Sequence, residues 1–497
     1  MSWLPHDQYS VALKKLAGLR VAGQPFARLF KVATTHEGRI VSGLRIHRRG
    51  TLKPKRAVLI VGGAHAREMV PPEAVLLFAA SLCQSYVSGN DFSFGGKTYS
   101  GAVAKLLVES IEIIVVPLLN LDGRAWVESA DQNWRKNRRQ TPGTSCRGVD
   151  VNRNYDFLFT SGLGTSTSPC EYQVYRGPNA HSEAEVLGIS NLLSASSHIR
   201  GVLDVHSYAG LILYPWGDDQ NQTSNPAMTF TNPAFDGQRG TAGDAYKEHI
   251  VNKDRQFYET TAIRMRDRVR EVANRNYIAE QGFDLYATSG TLMDYPYSRH
   301  RANTALHKIL SMTVEIGFFA DGQFRPSPDA TAQIVRNEGA VLIVEFCLAI
   351  MCVGDAVLSS TASAASAAKT LHSIHDVLQQ YPAGQTYVDW LERFGGEAVI
   401  KLADPTIVRE VGALLKGVSA WWKAGDEPLD DEIAERATRL LQKLRRRASR
   451  NLAVAIDTAI ADIKRVRGMP ASKAAAVIRA DGKGRRQVTR RREARKR

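Results

Sequence analysis

At 497 residues, 44% of them hydrophobic, the chain is longer than one core usually serves (about 250–300 residues) and rich enough in apolar side chains to fold, so two structural units are expected and global disorder is excluded. The net charge of +15 hints at a polyanion partner until it is located. Residues 436–497 carry 21 Lys and Arg against four acidic side chains, a surplus of 17, so the rest of the chain is slightly acidic. No continuous run of 18 apolar residues occurs, hence no membrane-spanning helix is expected, and MSWLPHDQYSVALKKLAGLR at the start lacks the apolar stretch of a secretory signal. A cytoplasmic protein is the default expectation, with signal-independent export open.

In chain order, β-branched apolar runs at AVLIVGG (57–63), IEIIVVPLL (111–119), GVLDVHSY (201–208), LILYPWG (211–217) and LSMTVEIG (310–317) read as strands. Helical patterns lie between them at 72–87 and 182–196. The stripe of Ile334, Val341, Val344 and Leu348 predicts a closing helix over 328–352. This alternation defines an α/β unit over 1–352. The character then changes. SSTASAASAAK (359–369) reads as a linker, and Asp404-Pro405 opens a helix that Gly425 closes after Trp421 and Trp422. The stripe from Ile433 through Leu440 and Ile456 to Ile463 predicts helix from about 430 to 467. The expectation is an all-helical basic extension over 353–480 and a disordered basic tail over 481–497, where DGKGRRQVTRRREARKR is too charged to pack.

Polar residues gather where the strands end: His65-Ala66-Arg67-Glu68, Asn120-Leu121-Asp122-Gly123, His206 and Glu315. In open α/β sheets the carboxyl ends of strands converge on a crevice free of helices, and ligands bind there. A His and a Glu three residues apart can grip one ion from a turn. A distant His, here His206, closes a third position and leaves a fourth for water, as a catalytic zinc requires. Alone, HxxE is a weak motif that many surface turns contain. Met69 after Glu68 excludes the inverted HxxEH pattern.

The surrounding residues make the pattern specific. GGAHAREMVPPE (62–73), NLDG (120–123), NWRKNR (133–138), CRGVDVNRNYDF (146–157), YRGPNAHSEAEV (175–186), VHSYAGLILYPWG (205–217), LYATSGTLMDY (285–295) and TVEIG (313–317) occur in an order that resembles the zinc carboxypeptidases of the carboxypeptidase A type, over roughly residues 10–350. THEGRIVSGLRI (35–46) is similar to the start of that domain. The resemblance implies a mixed, mostly parallel central sheet flanked by helices. It also implies one Zn2+ per chain on His65, Glu68 and His206, and peptide or protein C-termini as substrate.

The same resemblance assigns roles. Glu315 would be the general base that takes a proton from the attacking water and passes it to the leaving amine. Arg135 would stabilise the oxyanion. Asn152 and Arg153 would grip the substrate's terminal carboxylate, which a planar guanidinium matches bidentately. Tyr286 would cover the bound residue, Arg67 would serve an outer peptide subsite, and Asp150 would orient His65. Met293, before Asp294, sits where the family sorts C-terminal side chains; a thioether there favours apolar or aromatic residues. Arg299 and Arg301 are expected to add positive charge beside the entrance, while His181, His300, His307, His372 and His375 read as structural or solvated. Cys146 and Cys170 fall where related secreted enzymes form a disulfide, which conflicts with the missing signal and leaves both states open. Two other readings remain: a related zinc hydrolase (an N-acyl amino acid deacylase or a cell-wall peptide hydrolase), and an inactive scaffold that works through polyanion binding by its basic tail. Any such binding would be driven by phosphate contacts and would weaken steeply with salt.

Overall fold

Runs that are apolar at every position, not at alternate ones, belong to strands covered on both faces. A computed structural model describes residues 3–48, 56–352, 426–446, 450–470 and 473–474. It divides the chain into two compact units, Met1–Met351 and Cys352–Arg497.

In the first unit the apolar runs form β3 (Ala57–Gly62), β4 (Glu112–Val116), β5 (Ile199–His206), β6 (Leu211–Tyr214) and β8 (Leu310–Glu315). Three further strands, β1 (Ala27–Thr34), β2 (Ile40–Ile46) and β7 (Ile278–Gln281), complete an eight-stranded sheet of order β7-β6-β8-β5-β3-β4-β2-β1. The central strands β8, β5, β3 and β4 run parallel, and β6 and β7 are parallel to each other. The pairings of β6 with β8, β2 with β4 and β1 with β2 are antiparallel. The expected mixed, mostly parallel sheet is therefore present. Every residue of β3 is buried, while β1 at the sheet edge buries only Ala27 and Ala33 and leaves Arg28, Lys31 and Thr34 exposed.

Helices cover the sheet. The first of interest, α1 (Val70–Ser88), has Pro71 and Pro72 in its first turn, where no backbone N–H is needed, and ends on Gly89 in the left-handed conformation. It is long and apolar enough to cross a membrane by length and composition, against the expectation, but Val75, Phe78 and Leu82 are fully buried, as in a core helix. The helix expected over 328–352 is a succession of α-helix Pro328–Gln333, a π-helical stretch Ile334–Gly339 and α-helix Ala340–Cys352. Gly339 lies there because a Cβ would come within 2.6 Å of the Ala74 methyl on α1.

In the second unit the described helices are Asp431–Arg445 and Arg450–Val466. The single stripe read from sequence is broken between them. Ion pairs of Arg445 with Asp457, and of Arg467 with Asp431 and Glu435, place the two helices antiparallel. Leu429, Ala434, Val466 and Ala474 form a small core with Ile433, Ile463 and Met469. The 359–369 linker, the helix from Asp404 to Gly425, His372, His375 and the 481–497 tail lie outside the described residues.

Candidate active site

Register brings the first two residues together. Glu315, the last residue of β8, pairs with His206, the last of β5, while Gly62 ending β3 pairs with Val205 on the other side. The chain leaves β3 through Gly63 at φ +66°, and Glu68 N donates to His65 O at 3.2 Å, so His65 and Glu68 share one turn. Asn120 holds that turn in place: its Nδ2 donates to Ala64 O at 3.1 Å and its Oδ1 accepts from Gly123 N at 2.9 Å. Ala66 N donates to Arg135 O at 3.0 Å, which ties the WRK segment to the same turn.

The three expected ligands converge. One ligand atom each from His65, Glu68 and His206 lies within 4.8 Å of the others, and all three side chains are buried. Glu68 Oε1 is 2.7 Å from His65 Nδ1, and Oε2 is 3.0 Å from His206 Nδ1, so both imidazoles turn Nδ1 toward the centre. Their outer nitrogens rest on buried carboxylates: His65 Nε2 lies 3.1 Å from Asp150 Oδ1 and His206 Nε2 lies 2.8 Å from Asp204 Oδ2. In the neutral ring, a carboxylate behind each imidazole keeps the proton on Nε2 and leaves Nδ1 for a metal. The donor set of two imidazoles and one carboxylate suits zinc.

Charge is balanced tightly. Burial opposes ionisation of Glu68, but His65 and His206 outweigh it and hold its carboxyl well below the usual range. Burial opposes charge on His206 too, and Asp204 and Glu68 reverse that, so a proton is held strongly at the centre, where a metal would compete for the same nitrogen. Glu315 is pushed up to about 8 by burial and then by Glu68, against His206 and Arg135. Asp150, opposed by burial, is kept ionised by Arg135 and His65. It binds both, accepting from Arg135 Nε at 3.0 Å and Nη2 at 2.9 Å.

The remaining expected residues surround this centre. Arg153 is buried, donating to Gly164 O (3.0 Å), Asn152 O (2.7 Å) and Tyr286 Oη (3.1 Å), and among the described residues it has no carboxylate partner. Tyr286 itself is half-exposed, at 49%. The amide of Asn152 points inward: Nδ2 lies 3.1 Å from His206 Nε2 and 3.3 Å from Asp204 Oδ2, and Oδ1 accepts from Leu292 N at 2.8 Å. Met293 is buried against Leu211 and Leu213. Arg67 stacks on the Phe324 ring at 4.3 Å and donates to Gln173 Oε1 at 3.0 Å, away from the metal ligands.

Arg299 donates to Ser194 Oγ at 3.0 Å and Arg301 lies 3.2 Å from His249 Nδ1, both on the helix Tyr295–Ala302 that follows Asp294. Of the two states the sequence left open for Cys146 and Cys170, the structure has the disulfide. Sequence reasoning missed Asp204, although Asp204 and His206 stand two apart on β5 and so share a face.

Three buried side chains that could hold one metal ion thus lie beside the Glu315 carboxylate and near an arginine that has no carboxylate partner among the described residues. The profile of the zinc carboxypeptidases matches residues 16–338, and the chain belongs to that family. It is 33% identical to human carboxypeptidase A1 over 209 residues, 40% of this chain and 46% of that protein. It is 32% identical to carboxypeptidase B of Astacus astacus over 219 residues, 44% of this chain and 66% of that protein. The chain thus spans about half to two thirds of the length of these relatives. A Talaromyces marneffei protein named inactive metallocarboxypeptidase ecm14 is 35% identical over 198 residues, 38% of this chain and 31% of its own length. Among solved structures, bovine thrombin-activatable fibrinolysis inhibitor bound to tick carboxypeptidase inhibitor superposes with TM-score 0.53 at 19% identity, covering 70% of this chain and 97% of that one. Carboxypeptidase A of Helicoverpa armigera gives 0.54 at 21%, covering 71% and 75%. At such identities the likeness speaks for the fold.

Proposed function

We propose that this chain is an active zinc carboxypeptidase that hydrolyses the C-terminal peptide bond of peptides or proteins. The observation that carries the reading is Arg153: a buried guanidinium with no carboxylate partner among the described residues, placed beside Tyr286, awaits an anion of the substrate. A terminal carboxylate supplies it, and that requirement makes an exopeptidase.

Zinc on His65, Glu68 and His206 would supply a Lewis acid for the scissile carbonyl. Glu315, partly buried at the end of β8 and with raised basicity, accepts a proton from the attacking water and returns it to the leaving amine. Arg135 has Nε and Nη2 committed to Asp150, which leaves Nη1 for the oxyanion. Asn152 serves this scheme through Asp204, to which its Nδ2 donates at 3.3 Å, next to the Arg153 that it flanks. The apolar Met293, packed on Leu211 and Leu213, favours apolar or aromatic C-terminal residues.

The complete ligand, base and clamp set supports activity over an inactive scaffold. Of the two compartments left open by the sequence, the Cys146–Cys170 bond favours an oxidising one. Polyanion binding by residues 436–497 is a separate reading, weakened because Arg445, Arg465 and Arg467 are ion-paired within the described helices. Mass spectrometry of a peptide library after incubation, with and without a chelator, tests the central reading. Loss of single C-terminal residues that stops with the chelator is expected, and internal cleavage, or no cleavage after zinc loading, would overturn it.

A further inference from the structure

We propose that His36, Glu183 and Glu185 form a second divalent-metal site, separate from His65, Glu68 and His206. His36 sits on the exposed turn between β1 and β2, while Glu183 and Glu185 lie fully buried at the N-terminal end of the helix Ala184–Ala195. One ligand atom from each of the three lies within 4.8 Å of the others, and His36 Nε2 is 2.9 Å from Glu183 Oε2.

The two carboxylates differ in how they are satisfied. Glu183 accepts from Ser182 Oγ at 2.7 Å and Arg139 Nη1 at 2.9 Å on Oε1, and from Asn137 Nδ2 at 2.7 Å on Oε2. Its charge is answered by Arg139, as that of neighbouring Asp122 is answered by Arg39 at 2.7 Å. Glu185 has no such partner. Its Oε2 lies 3.5 Å from Asn137 Nδ2, and its Oε1 is buried with no hydrogen bond at all. A buried carboxylate oxygen left bare is costly, and burial together with Glu183 pushes the Glu185 carboxyl up to about 7.

A divalent cation removes that cost. It supplies the missing positive charge to Glu185 and takes the unprotonated Nε2 of His36 in place of the hydrogen bond to Glu183. Imidazole and carboxylate together suit zinc, whose bonds of about 2.0–2.1 Å put tetrahedral ligand atoms roughly 3.3 Å apart. The ligand atoms lie within 4.8 Å of one another, with the His36–Glu183 pair at 2.9 Å, and the exposed His36 turn is the part able to adjust. Arg139 bonds Oε1 of Glu183, the oxygen opposite the one that faces His36. The role is structural. Asn137, which touches both glutamates, accepts from Val149 N at 2.8 Å and donates to Val149 O at 3.0 Å, one residue before Asp150. A metal here would brace the segments that carry Arg135 and Asp150 without touching substrate.

The test counts metal. The full chain is stripped with a chelator, titrated with zinc, freed of excess by gel filtration and assayed for bound zinc by mass spectrometry. Two zinc ions per wild-type chain are expected, and one in His36→Ala and in Glu185→Gln, each with a lower Tm than the two-zinc wild type. His36→Ala alters an exposed turn, so it keeps the test decisive even if the buried Glu185→Gln destabilises the fold. A His65→Ala/Glu68→Gln variant should still be raised in Tm by zinc, and adding His36→Ala should abolish that rise. One zinc per wild-type chain together with a Tm of the double variant indifferent to zinc would overturn the site while leaving the catalytic centre intact. Two zinc ions retained in both His36→Ala and Glu185→Gln would overturn it as well.

Discussion

Asp204 is fully buried and accepts from His206 Nε2 at 2.8 Å, so it decides which nitrogen of His206 faces the centre. Two substitutions separate charge from geometry. In Asp204→Asn the amide Oδ1 can still accept the Nε2 proton, but the bond loses its charge assistance, which makes such bonds roughly twice as strong as neutral ones. About 1.4 kcal/mol of zinc affinity should go, roughly tenfold. In Asp204→Ala the acceptor disappears, leaving buried Nε2–H without it and removing one contact of the Asn152 amide at 3.3 Å. The loss should approach about 2.8 kcal/mol, or roughly a hundredfold, the upper range for groups behind a metal ligand. Competition titration of zinc against a chelating dye reads both, with circular dichroism to show that the variants are folded. Zinc affinity within twofold of wild type in both variants would refute the argument that Asp204 prepares His206.

Glu315→Gln should bind zinc as wild type does yet lose at least about a hundredfold in kcat, because an amide cannot accept the proton; normal turnover would remove Glu315 from its role. Peptides amidated at the C-terminus should lose about 2 kcal/mol or more of kcat/KM, at least roughly thirtyfold, since the buried Arg153 is left without its anion; equal rates would show that the site reads no carboxylate. Acid stability should depend on His307, which burial, then Arg200, Arg299, His198 and His300, push down to about 4. Unfolded histidine titrates near about 6.5, so below that pH the unfolded chain binds a proton that the folded chain refuses, and stability falls as pH drops from about 6.5 to about 4. Because the ring is half-buried the effect is discounted to about 1 kcal/mol. Urea melts at pH 7 and pH 4.5 should show this loss shrinking in His307→Gln, and an unchanged difference would exclude the histidine.

The strands of the central sheet were legible because burial on both faces forces continuous apolar runs, and the convergence of the candidate ligands His65, Glu68 and His206 because zinc chemistry restricts residue types and the ordered motifs around them are specific. Residues 57–62 and 310–315 could therefore be placed from sequence to within a residue or two. The short strand Ile278–Gln281 could not, since its pairing with β6 comes from the sheet and not from a pattern in four residues. The same limit applies to the site. The resemblance gave Asn152 and Arg153 one shared role, and only tertiary packing shows where each side chain lies, the Asn152 amide beside Asp204 and Arg153 against Tyr286. Asp150 was expected behind His65, yet its simultaneous hold on Arg135 depends on two segments meeting in space. The Cys146–Cys170 bond and the inward approach of Glu183 and Glu185 to His36, some 147 positions apart in the chain for the His36–Glu183 contact, likewise arise only when distant segments pack. Local residue chemistry fixes what each group can do, and the fold alone decides which groups are close enough to do it together.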